Sequence, residues 1–445
     1  MAAFDLAQIA KWLGSDHKGK EKVQGFKQDS REVAPGDLFF ALKGEKVDGH
    51  AYLEEIAAKG AVGAVVSKRY QGADYGLQLV RVDDVLHALH ELAKTVHTQC
   101  SVRVVAVTGS VGKTTTKEFI ATLLEGRFRI AKTPGTANSQ VTLPLNILNA
   151  RGDEEIFVLE MGMSQPREIE KLIAIAPPEV AIITKIAFAH AAFFPDGIEG
   201  IAAAKAEILS HASMRLAILN HQVAPFAAVQ AKDCSKMTYG LEEDTPECDF
   251  LLCREGNNYF AKERESRTSS FSLPFSASHL REDFIGAAAV ARAMGMQWAE
   301  IIAQVHKLST YERRFERVEK HGIVFINDSY NANETSMRAA LTNLPEPQAG
   351  GKRIAALASM KELGEHSERC HRNIGAVAAE HIDHLLCLGE ECQPMVSIFE
   401  QVNKPVEHFE ELAQLKRRVF EVARQGDVVL LKGSKSKQMW KVLED

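Results

Sequence analysis

The stretch VRVVAVTGSVGKTTTKEF, residues 102–119, constrains this chain more than any other. A mostly apolar run over 102–107 predicts a strand, which delivers the chain to Thr108-Gly109-Ser110-Val111-Gly112-Lys113. A helix is predicted from Thr114. Glycines let a backbone wrap closely around phosphate oxygens, and the exposed N–H groups with the helix N-terminus favour an anion. Lys113 then reaches the β- and γ-phosphates of a nucleotide, and the Thr114 hydroxyl is placed to ligate Mg2+. The usual G-x-x-x-x-G-K-[ST] pattern is incomplete, because Val107 stands where the first glycine belongs. A glycine-rich turn with an exposed lysine is the plain alternative.

Other strand-like runs alternate with helical stretches: AVGAVVS 61–67, EIFVLE 155–160, VAIIT 180–184, LAILN 216–220, IVFIN 323–327, RIAALA 353–358, HLLCLG 384–389 and DVVLLKG 427–433. Several are apolar at consecutive positions, as strands buried on both faces are. Helices are predicted over 114–125, 165–176, 198–211 and 334–343. The reading is α/β with mostly parallel sheets, in three blocks: 1–100, 101–312 and 313–445. A polar stretch, 233–278, interrupts the middle block with short candidate strands. Of 445 residues 45% are hydrophobic, which is enough for several cores.

A net charge of −6 without a long basic block argues against nucleic acid or an anionic membrane as the main partner. No run of about 18 apolar residues marks a membrane span. The start, MAAFDLAQIAKWLG, reads as a short amphipathic helix rather than a signal peptide. Seven scattered cysteines without a CxxC pair read as reduced thiols of a cytoplasmic protein.

A nucleotide site needs a carboxylate to hold its metal, and EIFVLE ends in Glu160 at the carboxyl edge of a strand, where ligands of open α/β sheets sit. A solvated strand-end charge is the alternative. VAIITKIAFAH carries His190 just past its strand, which alone reads more readily as structural than as a ligand. GIAAAKAEIL places Lys205 in an otherwise small and apolar stretch, alone a snorkelling surface lysine.

Together these residues resemble the Mur ligases, ATP-dependent amino-acid-adding enzymes of peptidoglycan synthesis, and within them the D-alanyl-D-alanine-adding branch. VTGSVGKTTTKEF is similar to the family's short phosphate loop, and LEMGMSQPREIEKL to its metal-glutamate segment. INDSYNANETSMRAAL (326–341) is the most specific match. KELGEHSERCHRNIG (361–375) and GDVVLLKGSKS (426–436) resemble C-terminal motifs, and DSREVAPGDLFFALKGEKVDGHAYL (29–53) the N-terminal domain.

The resemblance implies an N-terminal α/β domain, 1–100, for UDP-MurNAc-peptide, a central P-loop ATPase domain, 101–312, and a C-terminal Rossmann-like domain, 313–445. It implies ATP and two Mg2+ ions, with UDP-MurNAc-tripeptide and D-Ala-D-Ala as substrates of a cytoplasmic monomer. Thr108 through Thr114, with Arg314, Asp328 and Asn331, are matched to ATP. Ser30, Arg31, Asp48, His50 and Asn333 are matched to substrate. Thr114, Glu160, His190 and Lys205 are matched to metal, with Lys205 as a carbamate, and Lys113, Lys205 and His190 to catalysis.

The match departs at Thr136, Ser139 and Thr142, where Asn, Asn and Gly are expected, and at Lys185 for an asparagine. Ala191-Ala192 replace Leu-Glu, Ala358-Ser359 replace Gly-Asp, and Leu280 and Asp283 replace asparagines near the expected adenine region. Other readings stay open: the diaminopimelate- or lysine-adding branch, a folylpolyglutamate synthetase, or a non-catalytic nucleotide-binding scaffold of cell-wall assembly.

Overall fold

The apolar runs fold as strands and sort into three sheets, one in each of three α/β domains. The computed structural model describes residues 4–15, 19, 21–188, 193–245 and 247–444. The first sheet is parallel throughout, in the order Gly25–Lys27, Asp37–Phe40, Gly63–Ser67, Gln78–Val82. Helix Val85–Gln99 leaves it with Asp84 as N-cap and buries Val85, Ala88, Leu89, Leu92, Ala93 and Val96 at helical spacing.

That helix feeds Arg103–Thr108, a central strand of a nine-stranded sheet. Val104 and Ala106 pack into one core and Val105 and Val107 into another, so the run must be apolar at every position. Its parallel neighbours are Ile156–Glu160 and Val180–Ile183, both reached by later crossovers. Their carboxyl ends therefore open on one crevice. The stretch 233–278 does not interrupt the sheet. Ser235–Leu241 and Phe250–Glu255 extend it in parallel, and Asn258–Glu263 with Ser266–Arg267 close it antiparallel. Exposed residues such as Arg254 and Glu255 among these strands hid the pattern.

The third sheet runs Glu316–Lys320, Ile323–Asn327, Val428–Lys432, Arg353–Ala358, His384–Leu388, Val406–Phe409, with only the first strand antiparallel. Its register places Asn327 beside Leu431, so the residues that follow each strand meet at one end. Among the described residues no helix is long and apolar enough to cross a membrane, and all seven cysteines are free thiols.

Candidate active site

The loop after Arg103–Thr108 tolerates only glycine at two places. Gly109 and Gly112 have φ of +151° and +89°. A Cβ at Gly109 would lie 1.9 Å from Thr184 Oγ1, and one at Gly112 2.5 Å from Asp283 Oδ1. Thr108 donates its buried hydroxyl to the Met161 carbonyl at 2.8 Å, and Ser110 donates to the Ala187 carbonyl at 2.9 Å. These two residues shape the loop, and helix Lys113–Leu124 begins at its end. Lys113 Nζ turns back to the Gly109 carbonyl at 2.9 Å. Lys205, 3% exposed on helix Gly197–Ala206, donates to the same oxygen at 2.9 Å. Burial lowers the Lys113 pKa and takes that of Lys205 well below the ordinary lysine value, with Lys113 nearby adding to the effect.

Glu160 ends its strand almost wholly buried. Its backbone N–H donates to Thr133 Oγ1 at 2.9 Å, and its Oε1 accepts from Asn138 Nδ2 at 2.6 Å. Oε2 is buried without a hydrogen-bond partner. Such an atom is costly unless a cation or donor completes it. Glu160 and Thr114 line one cavity of about 290 Å3, together with Ser110, Val111, Gly112 and Lys113. Carboxylate and hydroxyl oxygens suit Mg2+, so the residues present fit that ion. Among the described residues no three His, Cys, Asp or Glu side chains gather as a ready-made metal cage. A cation held here would need further oxygen ligands from a bound anion or water. His190 lies outside the described residues. Asn138, not singled out in the sequence, carried no signal beyond its place in a polar loop.

The C-terminal domain closes the other side of this cavity. Arg314 reaches across to Thr114, Nη2 to Oγ1 at 3.3 Å, and its guanidinium stacks 4.0 Å from the Tyr330 ring centre. Asp328 is held on both oxygens, by Lys432 Nζ at 2.5 Å and by the Phe315 N–H at 3.1 Å. Lys432, 1% exposed, also donates to the Asn331 carbonyl at 3.1 Å, and burial lowers its pKa. Sequence reading missed Lys432, although it lies inside GDVVLLKGSKS, because its partner is reached only through the strand register. Asn333 caps helix Glu334–Thr342 by accepting from the Ser336 N–H at 2.9 Å, and it lines this same cavity.

Of the departures noted above, Lys185 and Asp283 line the far wall of this cavity, and Ala191-Ala192 lie outside the described residues. Lys185 pairs with Glu282 Oε2 at 2.5 Å, and Glu282 Oε1 accepts from Asn220 Nδ2 at 2.8 Å. Asp283 accepts from Thr116 Oγ1 at 3.1 Å. Burial, with Glu282 beside it, raises the Asp283 carboxyl well above the usual range. His279 meets Phe315 edge-on at 4.7 Å, and burial lowers its pKa to about 4.

Ser30, Arg31, Asp48 and His50 are elsewhere, around a cavity of about 1100 Å3 in the N-terminal domain. Ser30 donates to Glu55 Oε2 at 3.1 Å, and exposed Arg31 pairs with Asp29 at 2.5 Å. Asp48 takes the His50 backbone N–H at 3.0 Å and lies 2.6 Å from Nδ1. His50 Nε2 accepts from the Ser67 N–H at 3.0 Å, so in the neutral ring the proton sits on Nδ1.

Three family models match the chain: the Mur ligase family catalytic domain over residues 22–97, the Mur ligase middle domain over 107–291, and the Mur ligase glutamate ligase domain over 313–435. UDP-N-acetylmuramoyl-tripeptide--D-alanyl-D-alanine ligase of Bacillus subtilis (strain 168) is 32% identical over 99% of this chain and 97% of its own. The Escherichia coli (strain K12) protein of the same name is 30% identical, covering 100% of this chain and 98% of its own. Among solved structures, MurF from Acinetobacter baumannii superposes with a TM-score of 0.87 at 25% identity, over 100% of this chain and 98% of that one. MurF ligase from Thermotoga maritima in complex with ADP gives 0.80 at 29%, over 95% and 96%.

Proposed function

This chain belongs to the Mur ligase family, and we infer from that premise how its cleft works. It is an ATP-dependent, ADP-forming ligase that adds D-Ala-D-Ala to UDP-MurNAc-tripeptide in peptidoglycan precursor synthesis. The observation that carries our assignment of residues is the convergence of Lys113, Thr114 and Glu160 from the middle domain with Arg314 from the C-terminal domain on one cavity.

We read residues 1–100 as the part that takes the UDP-sugar end, with Ser30, Arg31, Asp48 and His50 around it. Residues 101–312 hold ATP and residues 313–445 close over it. The tripeptide's terminal carboxylate oxygen attacks the γ-phosphorus, and the bond to the β-phosphate oxygen breaks, giving an acyl phosphate and ADP. The dipeptide's free amine then attacks the acyl carbon, loses a proton, and phosphate leaves. Lys113 neutralises the γ-phosphate as charge builds, the N–H groups of the loop hold the β-phosphate, and Arg314 adds a second cation from the far side. Most of the acceleration comes from positioning and charge neutralisation. Glu160, the Thr114 hydroxyl, His190 and a carbamate on Lys205 would hold two Mg2+ ions, which supply further neutralisation of the phosphate oxygens. Asp328, already bound by Lys432, acts through its hold on the backbone of Phe315 next to Arg314. We assign the reaction to the cytoplasm, a reading supported by the seven free thiols.

A coupled phosphate-release assay with UDP-tripeptide, ATP and Mg2+ across acceptors tests this. D-Ala-D-Ala is expected to outpace D-Ala, diaminopimelate and L-Lys, and Lys113→Ala to abolish release. ATP binding without release on any acceptor would instead favour the scaffold reading.

A further inference from the structure

The hydroxyls of Tyr330 and Thr136 meet at 2.5 Å across the boundary between the C-terminal and middle domains. Each sits next to a group that the nucleotide site needs. Two residues after Thr136, Asn138 donates its N–H to the Thr136 carbonyl at 2.9 Å. The Asn138 side chain fixes Glu160 Oε1 at 2.6 Å, which leaves Oε2 as the unpartnered atom. The Gly162 N–H anchors the Asn138 carbonyl at 3.0 Å. The path from the Tyr330 hydroxyl to the Glu160 carboxylate therefore runs through one short turn.

On the other side, the Tyr330 ring carries Arg314 at 4.0 Å, and the Tyr330 N–H donates to the Arg313 carbonyl at 3.3 Å. Arg314 lies between two non-glycine residues with positive φ, Arg313 at +59° and Phe315 at +53°. Such a backbone persists only where its surroundings hold it. The holders are Glu316 on the Arg313 N–H at 3.0 Å and Asp328 on the Phe315 N–H at 3.1 Å.

We propose that Tyr330 is a positioning residue that sets Glu160 and Arg314 together, through its hydroxyl on Thr136 and its ring under the guanidinium. When the C-terminal domain docks, one side chain orients the carboxylate turn and the arginine in the same movement, so the metal and phosphate contacts assemble as a unit. The threonine at 136 supplies the hydroxyl that receives Tyr330. This rests on the reading of Glu160 as the metal carboxylate given above.

The test uses the full chain with Tyr330→Phe, which keeps the ring and its stack, and Thr136→Val, which keeps the shape and removes the hydroxyl. Calorimetry of ATP binding over a Mg2+ series, with no acceptor present, reads the effect. Each variant is expected to raise the Mg2+ concentration for half-maximal binding by about fivefold to tenfold, the worth of one hydrogen bond. The double variant is expected to add nothing further, because the two hydroxyls form one contact. In turnover, kcat falls by a similar factor while the KM for D-Ala-D-Ala holds. An unchanged Mg2+ requirement in both single variants, or effects that multiply in the double variant, overturns the proposal. Should Tyr330→Phe melt early, Thr136→Val carries the test. A wild-type chain that releases no phosphate with D-Ala-D-Ala sinks the functional assignment but leaves the Mg2+ series readable.

Discussion

Lys113 and Lys205 point their ammonium nitrogens at a single acceptor, the carbonyl oxygen of Gly109, each at 2.9 Å. Two cations beside one oxygen in a buried place repel each other, and the more deeply buried one gives up its proton first. Lys205 is that one, with its pKa well below the ordinary value. A neutral amine is the form that captures CO2.

Under labelled bicarbonate, carbon-13 NMR of the wild-type chain is expected to show a carbamate signal that Lys205→Ala lacks. The variant is expected to lose at least roughly tenfold in phosphate release, in line with losing an oxygen ligand beside the metal. No signal in the wild type, with full activity in the variant, contradicts the modification.

Gly112→Ala introduces a Cβ at φ +89° and 2.5 Å from Asp283 Oδ1. The strain costs about 1–3 kcal/mol, and nucleotide affinity is expected to fall at least roughly tenfold as the loop shifts. Gly295, at φ +100° with nothing within 4 Å of its Cβ, is the control. Gly295→Ala is expected to show a stability loss in denaturant melts while ATP binding in calorimetry stays intact.

Lys185→Met leaves Glu282, 4% exposed, as a buried carboxylate without its cation. The expected loss is about 3 kcal/mol in denaturant unfolding. Lys185→Asn combined with Glu282→Gln removes both charges and is expected to recover most of that loss. A double variant as unstable as the sum of its singles argues that Lys185 and Glu282 are not coupled.

His279 gives the pH dependence. Its folded pKa is lowered to about 4 against 6.5 when unfolded. As pH falls below 6.5 the unfolded chain takes up a proton that the folded chain refuses until near 4, so stability is lost on acidification across that window. Between pH 6.5 and 5 this group alone removes about 2 kcal/mol. His279→Asn is expected to lose less stability than wild type by that amount in paired melts.

Much of this molecule was legible before folding. The strands at 216–220, 323–327 and 353–358 fall where their apolar runs predicted them, and the helix expected at 334–343 spans Glu334–Thr342. The phosphate loop sits between strand and helix as its glycines required. The stretch 233–278 was less legible, because edge strands with one wet face lack the continuous apolar signal of buried ones.

What one reads from the chain alone is what neighbours in sequence decide: backbone freedom at Gly109 and Gly112, and burial on both faces of Arg103–Thr108. Tertiary structure decided which distant groups met. Lys432 reaches Asp328 across 104 residues, Arg314 reaches Thr114 across 200, and Tyr330 reaches Thr136 across 194. Asp328 was matched to ATP through the family resemblance alone, and its capture by Lys432 followed only from two strands aligning. Periodicity records the local preference of each segment. The pairing of charges and hydroxyls between segments is fixed by sheet register and domain docking, which no single stretch encodes.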